Sequence, residues 1–157
     1  MRRVAPIAIV VTIFIPVASA TAGEVSVERG LRLSIVAGCN DCHTQGFIGE
    51  GKLDPDKALK GGKMGWRGPW GTTYALNLRL TAKNLTEDEF VLYLSKLKTR
   101  PPMPWYNVRA MEEDDMRSLY RYIKSLGEPG EQAPAAVGPD EEPTTPFILL
   151  LAQPPKH

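Results

Sequence analysis

Apolar positions recur at helical spacing in three stretches of this chain and lose that rhythm between them. In residues 27–38, Val27, Leu31 and Ile35, with Ala37 beside them, share one helical face, while Glu28, Arg29 and Arg32 turn to water. Gly38 closes that helix, because glycine enters the left-handed region without a Cβ clash. Thr86-Glu87-Asp88-Glu89 has the form of a capping box, in which a threonine and a glutamate satisfy each other's free backbone N–H groups. It opens a helix predicted to run to about residue 98, with Phe90, Leu94 and Leu97 on its apolar face and Val91 alongside. The third helix is predicted over residues 112–126. Its acidic first turn (Glu112 to Asp115) and its late cations (Arg121, Lys124) suit the helix dipole. Leu119, Tyr122, Ile123 and Leu126 form its stripe, and Gly127 caps it.

Elsewhere the pattern is weak. Residues 44–79 are rich in glycine and aromatics, with no strand run evident, and read as a long loop region of the kind that carries function. Arg100-Pro101-Pro102-Met103-Pro104-Trp105 breaks the chain after the second helix, since proline cannot continue one. Residues 128–157 are proline-rich and read as an extended tail. Its apolar run, residues 147–151, is too short to span a membrane and is read as lying against the domain or marking a partner contact.

The N-terminal run reads as a secretory leader. Arg2 and Arg3 precede an apolar segment at residues 8–17, and Ala18-Ser19-Ala20 and Ala20-Thr21-Ala22 are small-residue cleavage sites. The apolar run 4–20 falls short of the ~20 residues of a spanning helix and is interrupted by Pro6 and Pro16. The expectation is a signal peptide at 1–22, export to the periplasm, one domain at 24–127 and the tail at 128–157. Loss of Arg2 and Arg3 takes the formal charge from +1 to about −1. No basic stripe or matching motif asks for nucleic acid.

The chemistry sits in Cys39-Asn40-Asp41-Cys42-His43, which holds the chain's two cysteines. This is the C-x-x-C-H signature of covalent c-type haem attachment. Each thiol can add to one vinyl group, and the adjacent histidine is then held where its imidazole reaches the iron. Three other readings compete. A disulfide across two residues closes a tiny loop and staples little. A thioredoxin-like thiol pair needs a strand before the motif, where a helical pattern stands instead. A zinc site needs four ligands, and the only other histidine is His157. For a sixth iron ligand the candidates are Met64, Met103, Met111, Met116 and His157. Met111 and Met116 fall at the start of the last helix, where a packing role is the plainer reading. Met103 stands between Pro102 and Pro104, so its backbone is stiff and its thioether has little freedom left to lose. A thioether ligand favours Fe(II) and raises the potential.

With these motifs in place, the chain resembles the mono-haem class I c-type cytochromes. Within them it looks like the branch that serves periplasmic alcohol and aldehyde dehydrogenases as subunits or partners. The resemblance runs through Cys39 to His43, Gly61-Gly62, the segment Trp70-Gly71-Thr72-Thr73-Tyr74-Ala75-Leu76-Asn77, Pro102-Met103-Pro104-Trp105 and the last helix. It departs after Asn77, where Leu78-Arg79-Leu80-Thr81 stands in place of a Thr-Pro-Asp segment. The resemblance implies an all-α fold with crossing first and last helices around a haem cleft. It also implies one covalent haem c, with His43 as proximal and Met103 as distal ligand. In such a fold Trp70, Tyr74, Asn77 and Arg79 bring polar tips near the haem propionates, while Trp66 and Trp105 pack at the ring or the cleft rim. The expected function is one-electron transfer between redox proteins: a dehydrogenase, a quinol-oxidising complex or a terminal oxidase. Membrane contact comes only through a partner or an uncleaved leader. The chain is then no enzyme in its own right. The alternative is an open-site haem protein that reduces peroxide or senses a small gas.

Overall fold

A computed structural model describes residues 23–153 and residue 155. The leader read from residues 1–22 and the candidate ligand His157 lie outside the described residues. The elements, in chain order, are α1 (Val27–Val36), α2 (Cys39–His43), α3 (Phe47–Glu50), β1 (Gly65–Gly68), β2 (Gly71–Tyr74), α4 (Leu78–Lys83), α5 (Glu87–Ser95), α6 (Trp105–Arg109), α7 (Glu113–Ser125) and β3 (Phe147–Leu149).

The all-α expectation is overturned. Helix makes up 39% of the described residues and a three-stranded sheet accompanies it, so the architecture is mixed α/β. The sheet order is β2-β1-β3. β1 and β2 form an antiparallel hairpin with Gly65 opposite Tyr74 and Gly68 opposite Gly71, and β3 joins β1 in parallel. The hairpin strands are four residues long and rich in glycine, and the third strand comes from the far end of the chain. Neither feature leaves a period-two signal in the sequence.

α1 and α7 cross closely. A Cβ added at Gly30 would stand 2.0 Å from the Ser118 carbonyl oxygen, so only glycine admits this approach. Ser34 and Ser118 are fully buried in the crossing. The Ser26 side chain caps α1, and its backbone N–H donates to Ser118 Oγ. Arg29 on α1 pairs with Asp115 on α7 at 2.6 Å. The predicted face of α1 is therefore reversed. Val27, Leu31 and Ile35 are exposed, and the small residues Gly30 and Ser34 face inward. Close backbone approach outweighs burial of the larger side chains here.

α5 and α7 follow the sequence pattern more nearly. The Thr86–Glu89 capping box is present in both directions, although α5 ends at Ser95 rather than near residue 98. Phe90, Leu94, Val108, Met116, Leu119, Tyr122 and Ile123 join Leu59 and Ala82 in one core. Full burial of each large side chain is worth about 1.5–3 kcal/mol. Met116 is buried in that core and Met111 packs against it.

The described part of the tail, from residue 128 to residue 150, lies against the domain as a strap. Thr72 and Val137 exchange two backbone hydrogen bonds of 3.1 Å, and Tyr74 Oη and Thr145 Oγ1 share one of 2.8 Å. Gly65 N donates to Pro146 O, and Leu150 N donates to Arg67 O. Gly71, at φ +96°, admits the strap: a Cβ there would stand 2.2 Å from Val137 O.

Candidate functional site

α1 ends at Ala37. Gly38, at φ +69°, turns the backbone so that the next five residues form α2, which consists of the C-x-x-C-H residues themselves. Asn40, fully buried, locks this helix in place. Its Nδ2 donates to Ser34 O and Ser34 Oγ at 3.0 Å, and its Oδ1 accepts from Thr44 Oγ1 at 2.6 Å. Thr44 Oγ1 in turn accepts from Leu59 N at 2.9 Å. A residue between the cysteines, which the motif leaves free, thus ties α2 to α1 and to the loop core.

His43 is buried, and its Nδ1 stands 2.7 Å from the Leu76 carbonyl oxygen. A carbonyl only accepts, so Nδ1 carries the proton and the lone pair is left on Nε2. Burial holds the imidazole below its ordinary pKa, against the opposite pull of the Leu76 hydrogen bond. A neutral ring with Nδ1–H bonded to a backbone carbonyl is the form in which histidine ligates a metal through Nε2. Gly61 makes this contact possible. Its N–H donates to His43 O at 2.7 Å, and a Cβ on it would lie 2.5 Å from Ala75 O.

Beside α2 lies a cleft in two lobes that share Thr73, Tyr74 and Met103. Cys39 borders the larger lobe, with Leu76, Leu78, Phe90, Leu94, Leu97 and other apolar side chains; Cys42 borders the smaller, with Trp66, Ala75 and Pro102. As enclosed cavity they hold about 90 and 30 Å³. Protein interiors rarely keep voids larger than a water molecule, so the two lobes mark an apolar cleft that the side chains around it do not fill. Met103 is the one methionine lining the cleft among the described residues. Met64 lies in a separate surface groove. His43 does not itself line either lobe; it is held to Leu76, which lines the larger one.

Both cysteines are free thiols. Burial pushes the Cys39 thiol up to about 11 and raises Cys42 as well, with Asp41 adding to both. A nucleophilic redox thiolate needs a shift in the opposite direction. Among the described residues no group of three or more His, Cys, Asp and Glu side chains is placed to hold a metal ion, so the zinc reading gains no partner set.

The four residues expected near the propionates separate. Arg79 is buried and its guanidinium is consumed by backbone: Nε donates to Ala58 O at 2.7 Å, and the terminal nitrogens donate to Leu126, Glu128 and Pro55 carbonyls. Asn77 caps α4 through Oδ1 and donates to the Pro129 and Glu131 carbonyls of the strap. Neither lines the cleft, and both are tied to the scaffold. The Tyr74 ring lines both lobes, but its hydroxyl is engaged by Thr145. Trp70 keeps its place as a candidate. Its Nε1 is buried without a hydrogen-bond partner among the described residues, although its ring does not line the cleft.

The other orphan is Thr73 Oγ1, on the wall common to both lobes. Buried polar atoms without partners are rare and costly. A group with polar edges seated in the cleft would give Thr73 a partner, and the two thiols and the thioether that border it are a donor set suited to a haem c. Sequence reasoning assigned Thr73 no role, although it stands in the segment that carries the resemblance. Trp105 lies outside the cleft lining, edge-on to Tyr106 and under Arg109.

Comparison with family models, with curated proteins and with solved structures finds no match to this chain.

Proposed function

We propose that this chain is an exported one-electron carrier with a single haem c attached through Cys39 and Cys42. The observation that carries the reading is the His43–Leu76 hydrogen bond. It presents a neutral imidazole with its lone pair on Nε2, beside two free thiols and a methionine that border one apolar cleft. A haem bound there supplies a one-electron iron couple.

The chain's residues divide the remaining work. Cys39 and Cys42 hold the two attachment points, one at each lobe. His43 offers Nε2, and Leu76 fixes which nitrogen that is. Met103, stiffened by its flanking prolines, offers a thioether that favours the reduced ion. Phe90, Leu94, Leu97 and Leu119 exclude water from the larger lobe. The donor and acceptor are redox proteins such as a dehydrogenase or a quinol-oxidising complex, and no substrate is transformed on the chain itself.

The test is the intact mass of the full chain, produced with and without a haem-maturation system in an exporting host. The reading requires a mass increase of one haem, with both thiols blocked to alkylation and the leader removed. Two alkylatable thiols in the maturing host would refute it.

A further inference from the structure

β3 is a three-residue edge strand that carries neither charge nor internal proline. One side pairs with β1, and the other meets no strand among the described residues. Pro146 O and Leu150 N point toward β1, where they bond Gly65 N and Arg67 O. Backbone groups alternate along a strand, so the N–H and C=O groups of Phe147 and Leu149 face outward.

Natural sheets blunt such edges with charge, internal proline, bulges or a covering segment. Residues 143–155 carry no charged side chain, and no proline falls between Phe147 and Leu151. Arg67 covers one side of the Phe147 ring, at 5.8 Å. Beside the strand, Pro146 and Ile148 form a groove with Ile48, Met64 and Trp66 that opens next to Cys42. Phe147, Ile148, Leu149, Leu150, Leu151, Ile48 and Met64 are 36–71% exposed. A contiguous apolar patch of this kind marks an interaction surface.

The opposite edge of the sheet decides what pairs here. β2 is closed by the strap, through the two Thr72–Val137 hydrogen bonds. Among the described residues the sheet therefore has one free edge. Antiparallel pairing of that edge with its own copy, across a two-fold axis, leaves no edge for further growth and ends at a dimer. The strand itself brings no like charges together, and the two charges that line its groove, Asp41 and Lys63, are of opposite sign. We infer that this chain forms a two-fold homodimer through β3, with side chains of one copy seated in the Ile48–Met64–Ile148 groove of the other. Seven side chains at these exposures present roughly 600–700 Å², a little under the ~800 Å² that a standard interface buries per partner, so the interface is at the small end and the dimer is reversible.

Sedimentation velocity of the purified full chain from ~1 μM to ~1 mM tests this, and needs no haem signal. The inference requires a shift from monomer to dimer across that range. It also requires loss of the dimer in Leu149→Lys, with unchanged circular dichroism. Ile48→Lys, on α3 and remote from the strand's own pairing, must weaken the dimer tenfold or more, and keeps the test valid if Leu149→Lys fails to fold. A monomer throughout, species larger than a dimer, or a dimer indifferent to both variants would overturn it. So would a monomer that neutral phosphatidylcholine vesicles sediment, which would assign the strand to a lipid surface.

Discussion

His43 Nδ1 donates a 2.7 Å hydrogen bond to the carbonyl oxygen of Leu76, which lies 33 residues further along the chain. That one contact settles the tautomer of the ring, and its partner is a backbone atom that a side-chain substitution at Leu76 cannot remove. What can be disturbed is the backbone approach that delivers it, and that depends on Gly61.

Gly61→Ala is therefore predicted to damage the site from outside the motif. The residue sits at φ +74°, and an added Cβ would meet Ala75 O at 2.5 Å and the Leu76 carbonyl carbon at 2.8 Å. Strain and overlap together cost about 3 kcal/mol. Urea unfolding should show that loss, and the midpoint potential should shift as the hydrogen bond to His43 lengthens. Unchanged stability and potential would show that Gly61 plays no part in presenting the carbonyl.

Asn40→Ala leaves Ser34 and Thr44 without their buried partners. Removing one side of a buried hydrogen-bond set costs about 1–3 kcal/mol, and three bonds are lost here, so a destabilisation near the top of that range is expected. Denaturant unfolding checks it. Haem attachment should fall as well, because Asn40 holds the helix that carries both thiols.

Met103→Ala should open the sixth position. Carbon monoxide binding should rise sharply, the far-red sulfur-to-iron band should vanish, and the midpoint potential should fall by on the order of 100 mV, a fraction of the ~0.8 V over which axial ligands act. Unaltered carbon monoxide binding would instead mean that the native site is open, as a peroxide-reducing or gas-sensing protein requires.

Thr73→Val separates a structural hydroxyl from one that serves a bound group. In the haem-free chain the hydroxyl is an unpaired buried donor, so its removal should be neutral or should stabilise by about 1 kcal/mol. In the haem-loaded chain the same change should destabilise and move the midpoint potential. Thr73→Ser should restore the loaded protein. The same sign in both forms would remove Thr73 from the site.

The capping box predicts one limb of the acid transition. Backbone and side-chain hydrogen bonds from Thr86 hold the Glu89 carboxyl below its ordinary value of 4.5. Its contribution is therefore present above that value and is lost as pH falls through the lowered folded-state value. Glu89→Gln should flatten stability against pH in that acid range and leave the neutral range nearly unchanged. Thermal unfolding at stepped pH checks the difference.

The residues of the candidate site and the longer helices were more legible in the sequence than the sheet. Cys39, Cys42 and His43 fall within one five-residue run, and α5 and α7 carry strong periodic and capping signals, so these were readable from local pattern. Met103 stood out because prolines flank it, and among the described residues it is the methionine that lines the cleft. The sheet was not readable: Gly65 to Tyr74 has no alternation, and β3 joins it from the far end of the chain. The face of α1 was misread because Gly30 and Ser34 win the interior by being small, which a hydrophobic pattern cannot register. Arg79 and Asn77 looked like groups for an acidic ligand, yet their partners are carbonyls of loops whose approach no local pattern encodes. The orphan hydroxyl of Thr73 is visible only once every other donor has been assigned.

The most direct measurement is the visible and far-red spectrum of the full chain purified from a haem-maturing host, oxidised and reduced. His43/Met103 ligation predicts the sharp reduced bands of a low-spin c haem and a far-red band on oxidation that disappears in Met103→Ala. A high-spin spectrum, or a purified chain with no haem and two free thiols, would contradict it.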